Sequence, residues 1–173
     1  MVEALILVVF PVSMAYAALT DLQSMTIANS VPLVLAGAFA LAALAIGMPL
    51  VAVAGHLAVG VAVLAAGFCL FRLGLMGGGD AKLMAASVLW FGLGPPALAY
   101  LVETSLLGGV LTFGLLALRG SVLAPLMSCK PALSHLVDPR AGVPYGIALA
   151  IAGLLAFPNS PPAVWAIARM AQP

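Results

Sequence analysis

Charge is what this chain has least of: Asp, Glu, Lys and Arg together make up 6% of its 173 residues. A soluble domain carries about a quarter charged residues, so a water-facing surface cannot be built from this composition. The formal net charge of +1 gives no basis for a nucleic-acid partner or for a broadly acidic substrate. Cysteine is nearly as scarce. Cys69 and Cys129 stand far apart and form no C-x-x-C pair, which leaves no zinc site and no disulfide framework. No metal and no cofactor are expected. Low-complexity linkers, internal repeats and a soluble appendage are missing too, so residues 1–173 read as one membrane-embedded domain.

What the chain has is apolar residues, 65% of the total, in long runs. A spanning helix needs ~20 mostly apolar residues. On that measure about six helices are expected, over Ala4–Thr20, Val31–Gly47, Val51–Leu73, Ala81–Leu93, Ala97–Leu118 and Pro144–Phe157. Barrel strands would be shorter and alternating, so the expected fold class is an all-α polytopic membrane bundle. "GMPL" (47–50) and "GLGPP" (92–96) mark connections, and "AVWAIA" near the end is too short to span. Ala15–Ala17 resembles a signal-peptide cleavage site, but the only early charge is Glu3, so a retained helix is expected.

Six helices put alternate connections on opposite sides. Arg72, Lys82, Arg119, Lys130 and Arg140 fall on one side and Arg169 on the other. The positive-inside rule then places the first, third and fifth connections in the cytoplasm and both termini outside.

The five carboxylates separate into two groups. Glu3 and Asp138 read as solvated, and Glu103 lies within reach of His56 for a polar contact between the fifth and third helices. Asp21 ends the first helix and Asp80 opens the fourth, which brings both to the cytoplasmic side. The 15 residues from Asp80 to Pro95 span ~22 Å of helix against a hydrocarbon core of ~30 Å, so with Pro95 at the outer surface Asp80 sits several ångströms below the inner one. An ionisable group at that depth is a functional-site candidate. Two carboxylates facing each other cannot both ionise easily, so one holds a proton while the other acts as a base, as in aspartic proteases. Gly77, Gly78 and Gly79 carry no Cβ and would let a substrate backbone come close to Asp80. Lys82 would snorkel to headgroups or bias the pair. A glycine turn with Asp80 capping the fourth helix is the simpler explanation of the same stretch.

The order of these pieces resembles the type IV prepilin peptidases, intramembrane aspartic proteases with a Gly-x-Gly-Asp motif. "GGGD" (77–80) followed by "AKL" supplies Gly77, Gly79, Asp80 and Lys82. "LTDLQSMTIANSVPL" resembles the segment around the family's first catalytic aspartate, and "VPYGIALAIAG" resembles the start of its last helix through Pro144, Tyr145 and Gly146. The resemblance implies that Asp21 and Asp80 are catalytic, without metal or cofactor. It implies prepilin or pseudopilin substrates with short N-terminal leaders, cleaved at the cytoplasmic face of the bacterial inner membrane. The stretch Gln23 to Asn29 departs from the family by lacking basic residues and an Ile-Pro-Asn. The first connection leaves no room for the cysteine-rich insertion of larger members or their N-methyltransferase activity, so the chain resembles the short members serving tight-adherence (Flp-type) pili. Two other classes stay open on the same residues: a small proton- or ion-coupled transporter binding its ion at Asp21 and Asp80, and a non-enzymatic assembly subunit. The connection 119–142, basic and leucine-rich, is expected either to line the substrate entry side or merely to join two helices.

Overall fold

The computed structural model describes residues 2–122, 124–125, 134, 136–138 and 141–172. Cys129, Lys130 and Arg140 lie outside the described residues. The apolar runs form helices and no strand occurs among the described residues. In chain order the helices are α1 (Val2–Ser24), α2 (Ser30–Ala45), α3 (Leu50–Arg72), α4 (Gly78–Val88), α5 (Pro95–Arg119), α6 (Tyr145–Ala156) and α7 (Pro161–Met170), with a 3-10 turn Phe157–Asn159 before the last. The breaks come where a backbone that ordinary residues avoid is needed. Gly47 (φ 68°), Gly74 (φ 71°) and Gly92 (φ 69°) provide it, and Met25 (φ 53°) adopts it directly after α1.

The fold is an all-α membrane bundle, in which three or four candidate spans are found among the described residues where six were expected. α1, α3 and α5 are long and apolar enough to cross a bilayer, and α6 with α7, bent by 52° at the 3-10 turn, makes a fourth if the pair is one span. α2 is a shorter apolar helix of 16 residues. α4, with 11 residues, covers only ~16 Å at ~1.5 Å per residue.

The early end of α4 corrects the expectation of a helix running from Ala81 to Leu93. After Val88 the chain turns inward. Trp90 and Phe91 are buried and pack on Phe10, whose ring stacks on Phe157 with centroids 4.6 Å apart. The Trp90 indole N–H donates to Leu35 O at 3.1 Å, which satisfies the polar end of a ring fully removed from water.

Around this plug, α6 lies against α5 and α1, α2 against α1 and α4, α3 against α4, and α7 against α1. Small residues permit the close approaches. A Cβ on Gly60 or Gly67 of α3 would strike Leu89 or Ala81, and one on Gly153 of α6 would come within 2.7 Å of Met14 Cε. Leu5, Val8, Val12, Leu41, Leu44, Val61, Leu106, Val110 and Phe113 face outward, as expected of a surface solvated by lipid tails.

Candidate active site

Asp21 lies in the last turn of α1 and is 4% exposed. Its surroundings come from the far end of the sequence. The backbone N–H of Gly146, in the first turn of α6, donates to Asp21 Oδ2 at 2.7 Å. The first four N–H groups of a helix have no partner within it, so a carboxylate at that end satisfies one of them and meets the positive end of the helix dipole. Gly146 must be glycine for this geometry. A Cβ there would stand 2.8 Å from Asp21 Oδ2 and 3.0 Å from Ile27 Cδ1. Pro144, fully buried, precedes the helix with its fixed φ. The Pro-Tyr-Gly sequence thus presents a bare backbone donor to Asp21.

Asp80 occupies the third position of α4, whose N-cap is Gly77. Its carboxylate lies back against the N-cap, where a Cβ on Gly77 would stand 2.7 Å from Asp80 Oδ2. One side chain links the surroundings of Asp80 and Asp21. Ile27 stands between their supports: a Cβ on Gly79 would be 3.2 Å from Ile27 Cβ, while Ile27 Cδ1 packs at Gly146. The ends of α1, α4 and α6 converge at one end of the bundle.

The remaining predicted residues are also placed. Gly77 lies beside the Asp80 carboxylate, where a Cβ would come within 2.7 Å of Oδ2; Gly78 faces the Phe71 ring and Gly79 faces Ile27. Lys82 does not turn to the carboxylates. Its Nζ donates to Asn29 Oδ1 at 2.9 Å, tying α4 to the residue before α2. Tyr145 donates to Thr104 O at 3.3 Å. The contacts of Ile27, Asn29 and Thr104 were not read from the sequence. Only Asn29, a lone amide before an apolar run, carried a hint of its position.

Two secondary expectations are corrected. His56 does not meet Glu103: its Nδ1 pairs with Leu89 O, and its ring stacks on Phe39 at 5.0 Å. Glu103 instead keeps Oε2 buried without a hydrogen-bond partner on α5. Glu3 pairs with Arg169, Oε1 to Nε at 3.4 Å, at the start of α1 and thus away from Asp21. The Arg119 guanidinium donates to Leu136 O at 2.9 Å and Gly142 O at 2.8 Å, clasping the far part of the 119–142 connection to the end of α5. Among the described residues no cluster of His, Cys, Asp and Glu could hold a metal.

A separate groove of about 550 Å³ runs between α2, α3 and α4, apolar along Leu33, Leu57, Val61 and Leu89, with Asn29 and Lys82 in its wall. It does not include Asp21 or Asp80.

A profile of the type IV leader peptidase family matches residues 8–127, which include both aspartates and the glycine motif. The chain belongs to that family. No curated protein and no solved structure matches it. Family membership and the apolar helices together describe a membrane-embedded peptidase. The Pro-Tyr-Gly turn at 144–146 lies beyond the matched stretch and is joined to it by the Asp21–Gly146 hydrogen bond.

Proposed function

We propose that this peptidase is an aspartic endopeptidase in which Asp21 and Asp80 are the catalytic pair. It removes short N-terminal leaders from Flp-type prepilins or pseudopilins at the cytoplasmic face of the inner membrane. The observation that carries the reading is the shared contact at Ile27, which packs against Gly79 beside Asp80 and against Gly146, the donor to Asp21, so that both aspartates lie at one end of the bundle. Repulsion between like charges favours a pair that shares one proton. The ionised partner takes a proton from water as the water attacks the scissile carbonyl. The protonated partner donates to the carbonyl oxygen, and later a proton passes to the leaving amine. Gly77 leaves the flank of Asp80 uncovered for a substrate backbone. Arg72 and Arg119 end α3 and α5, and Lys82 lies near the start of α4, at the same end as the pair, which supports a cytoplasmic orientation.

The test is co-expression with a prepilin bearing a short leader, followed by mobility shift and mass of the product. Asp21→Asn and Asp80→Asn should each abolish processing while leaving membrane levels unchanged. Processing that survives both substitutions would defeat the assignment. Proton or solute flux in proteoliposomes without any cleavage would establish the transporter reading instead.

A further inference from the structure

Tyr145 is the first residue of α6 and the neighbour of the Gly146 N–H that engages Asp21. Its ring reaches across to α5. There the Oη donates to Thr104 O, and the ring end occupies the space above Gly108. A Cβ on Gly108 would coincide with Tyr145 Cζ, Oη and Cε2. The adjacent Gly109 has open space at the same position, with no atom within 4 Å. Of this glycine pair, only Gly108 is filled by Tyr145.

The base of that ring has little freedom. Pro144 on one side is fully buried and fixes its own φ. Gly146 on the other side lies against Asp21 and Ile27. A ring displaced from α5 therefore pulls on the short backbone segment that carries the donor to Asp21.

We propose that Gly108 and Thr104 of α5 form a socket for Tyr145, and that the seated ring holds the Gly146 N–H on Asp21, making Gly108 a positioning residue for cleavage. The proposal rests on the reading of Asp21 as catalytic. Gly108 touches neither carboxylate; it acts through Tyr145 and Gly146. Catalytic geometry is sensitive to such displacement, since a ~1 Å misplacement can cost about 100-fold in rate.

Tyr145–Gly146 is the only Tyr–Gly pair in the sequence. Protein labelled with carbonyl-13C tyrosine and 15N glycine therefore gives one amide-to-carbonyl correlation, that of the Gly146 N–H. A hydrogen bond to a carboxylate is stronger than one to a neutral amide, so Asp21→Asn moves this proton resonance upfield. Gly108→Ala should move it in the same direction and slow prepilin cleavage roughly 10- to 100-fold per folded enzyme. Gly109→Ala should leave both unchanged. A Gly108→Ala protein with the wild-type Gly146 resonance, or with a displaced resonance and undiminished cleavage, overturns the proposal.

Should Gly108→Ala fail to accumulate, Tyr145→Phe carries the same test, because it removes the Oη while keeping the ring. With labelled phenylalanine its new Phe–Gly pair is read beside Phe91–Gly92 and Phe113–Gly114, which should not move. An unshifted Gly146 signal, or unchanged cleavage, would overturn the proposal in this variant as well. A wild-type protein that cleaves no prepilin defeats the peptidase reading, and the positioning role with it. The coupling of Gly108 to the Gly146 N–H is still read from the resonance, so the two failures are distinct.

Discussion

Lys82 Nζ donates to Asn29 Oδ1 across 2.9 Å, linking the motif that contains Asp80 to the segment that follows Asp21. Both side chains are exposed, so the bond should contribute little to stability, about 1 kcal/mol or less. Its effect is on relative placement of α2 and α4. Lys82→Met and Asn29→Ala should each slow cleavage by a small factor. The double mutant should be no slower than the worse single one, because both remove one shared interaction. Strictly multiplicative losses in a rate cycle would show that the two residues act separately.

Gly146→Ala should be far more damaging to activity than to folding. The added methyl meets Asp21 Oδ2 and Ile27 Cδ1, and relief of that overlap moves the N–H donor away from the carboxylate. Cleavage should fall about 100-fold, with normal membrane levels and a normal detergent-solubilised monomer or oligomer peak by size exclusion.

Two glycines far from the carboxylates separate backbone strain from crowding. Gly47 and Gly92 have nearly the same positive φ, 68° and 69°. Gly47 opens onto empty space, whereas a Cβ on Gly92 would stand 2.6 Å from His56 Nε2. Gly47→Ala should therefore cost roughly 1 kcal/mol from conformation alone. Gly92→Ala adds displacement of the His56 ring and should lower the thermal midpoint clearly more. Equal shifts in a melting assay would remove His56 from the explanation.

Trp90→Phe tests the plug that ends α4. It deletes the indole donor to Leu35 O and leaves that region underpacked. A loss of about 1–3 kcal/mol is expected from the missing hydrogen bond and volume. Chemical denaturation in a mild detergent would measure it, and a change of a few tenths would show that the ring is not a structural keystone.

Much of this arrangement was legible in the residues. Long apolar runs predicted the helices, and their punctuation at Gly47 and Gly92 agrees with the turns found. Asp21 and Asp80 drew attention because carboxylates are scarce in a chain this apolar, and the structure does bring them to one end. The end of α4 was not legible. Trp90 and Phe91 continue an apolar run, and hydropathy cannot distinguish rings facing lipid from rings turned into a core. Nor could spacing reveal that Lys82 seeks Asn29, or that Glu3 finds Arg169. Such pairings depend on which helix faces which, a property of the assembled bundle. Gly146 was noticed as a motif residue, but a backbone donor leaves no chemical signature in a one-letter code.

The two carboxylates are mounted differently. Asp21 belongs to a 23-residue helix and is gripped from across the bundle by Gly146. Asp80 stands three residues into an 11-residue helix that begins just after the Gly74 turn. The pair therefore resembles a vice with one fixed jaw and one set by a spacer. Adding or deleting a residue between Leu73 and Gly77 would reset the opening from the Asp80 side alone, while the Asp21 jaw kept its seat.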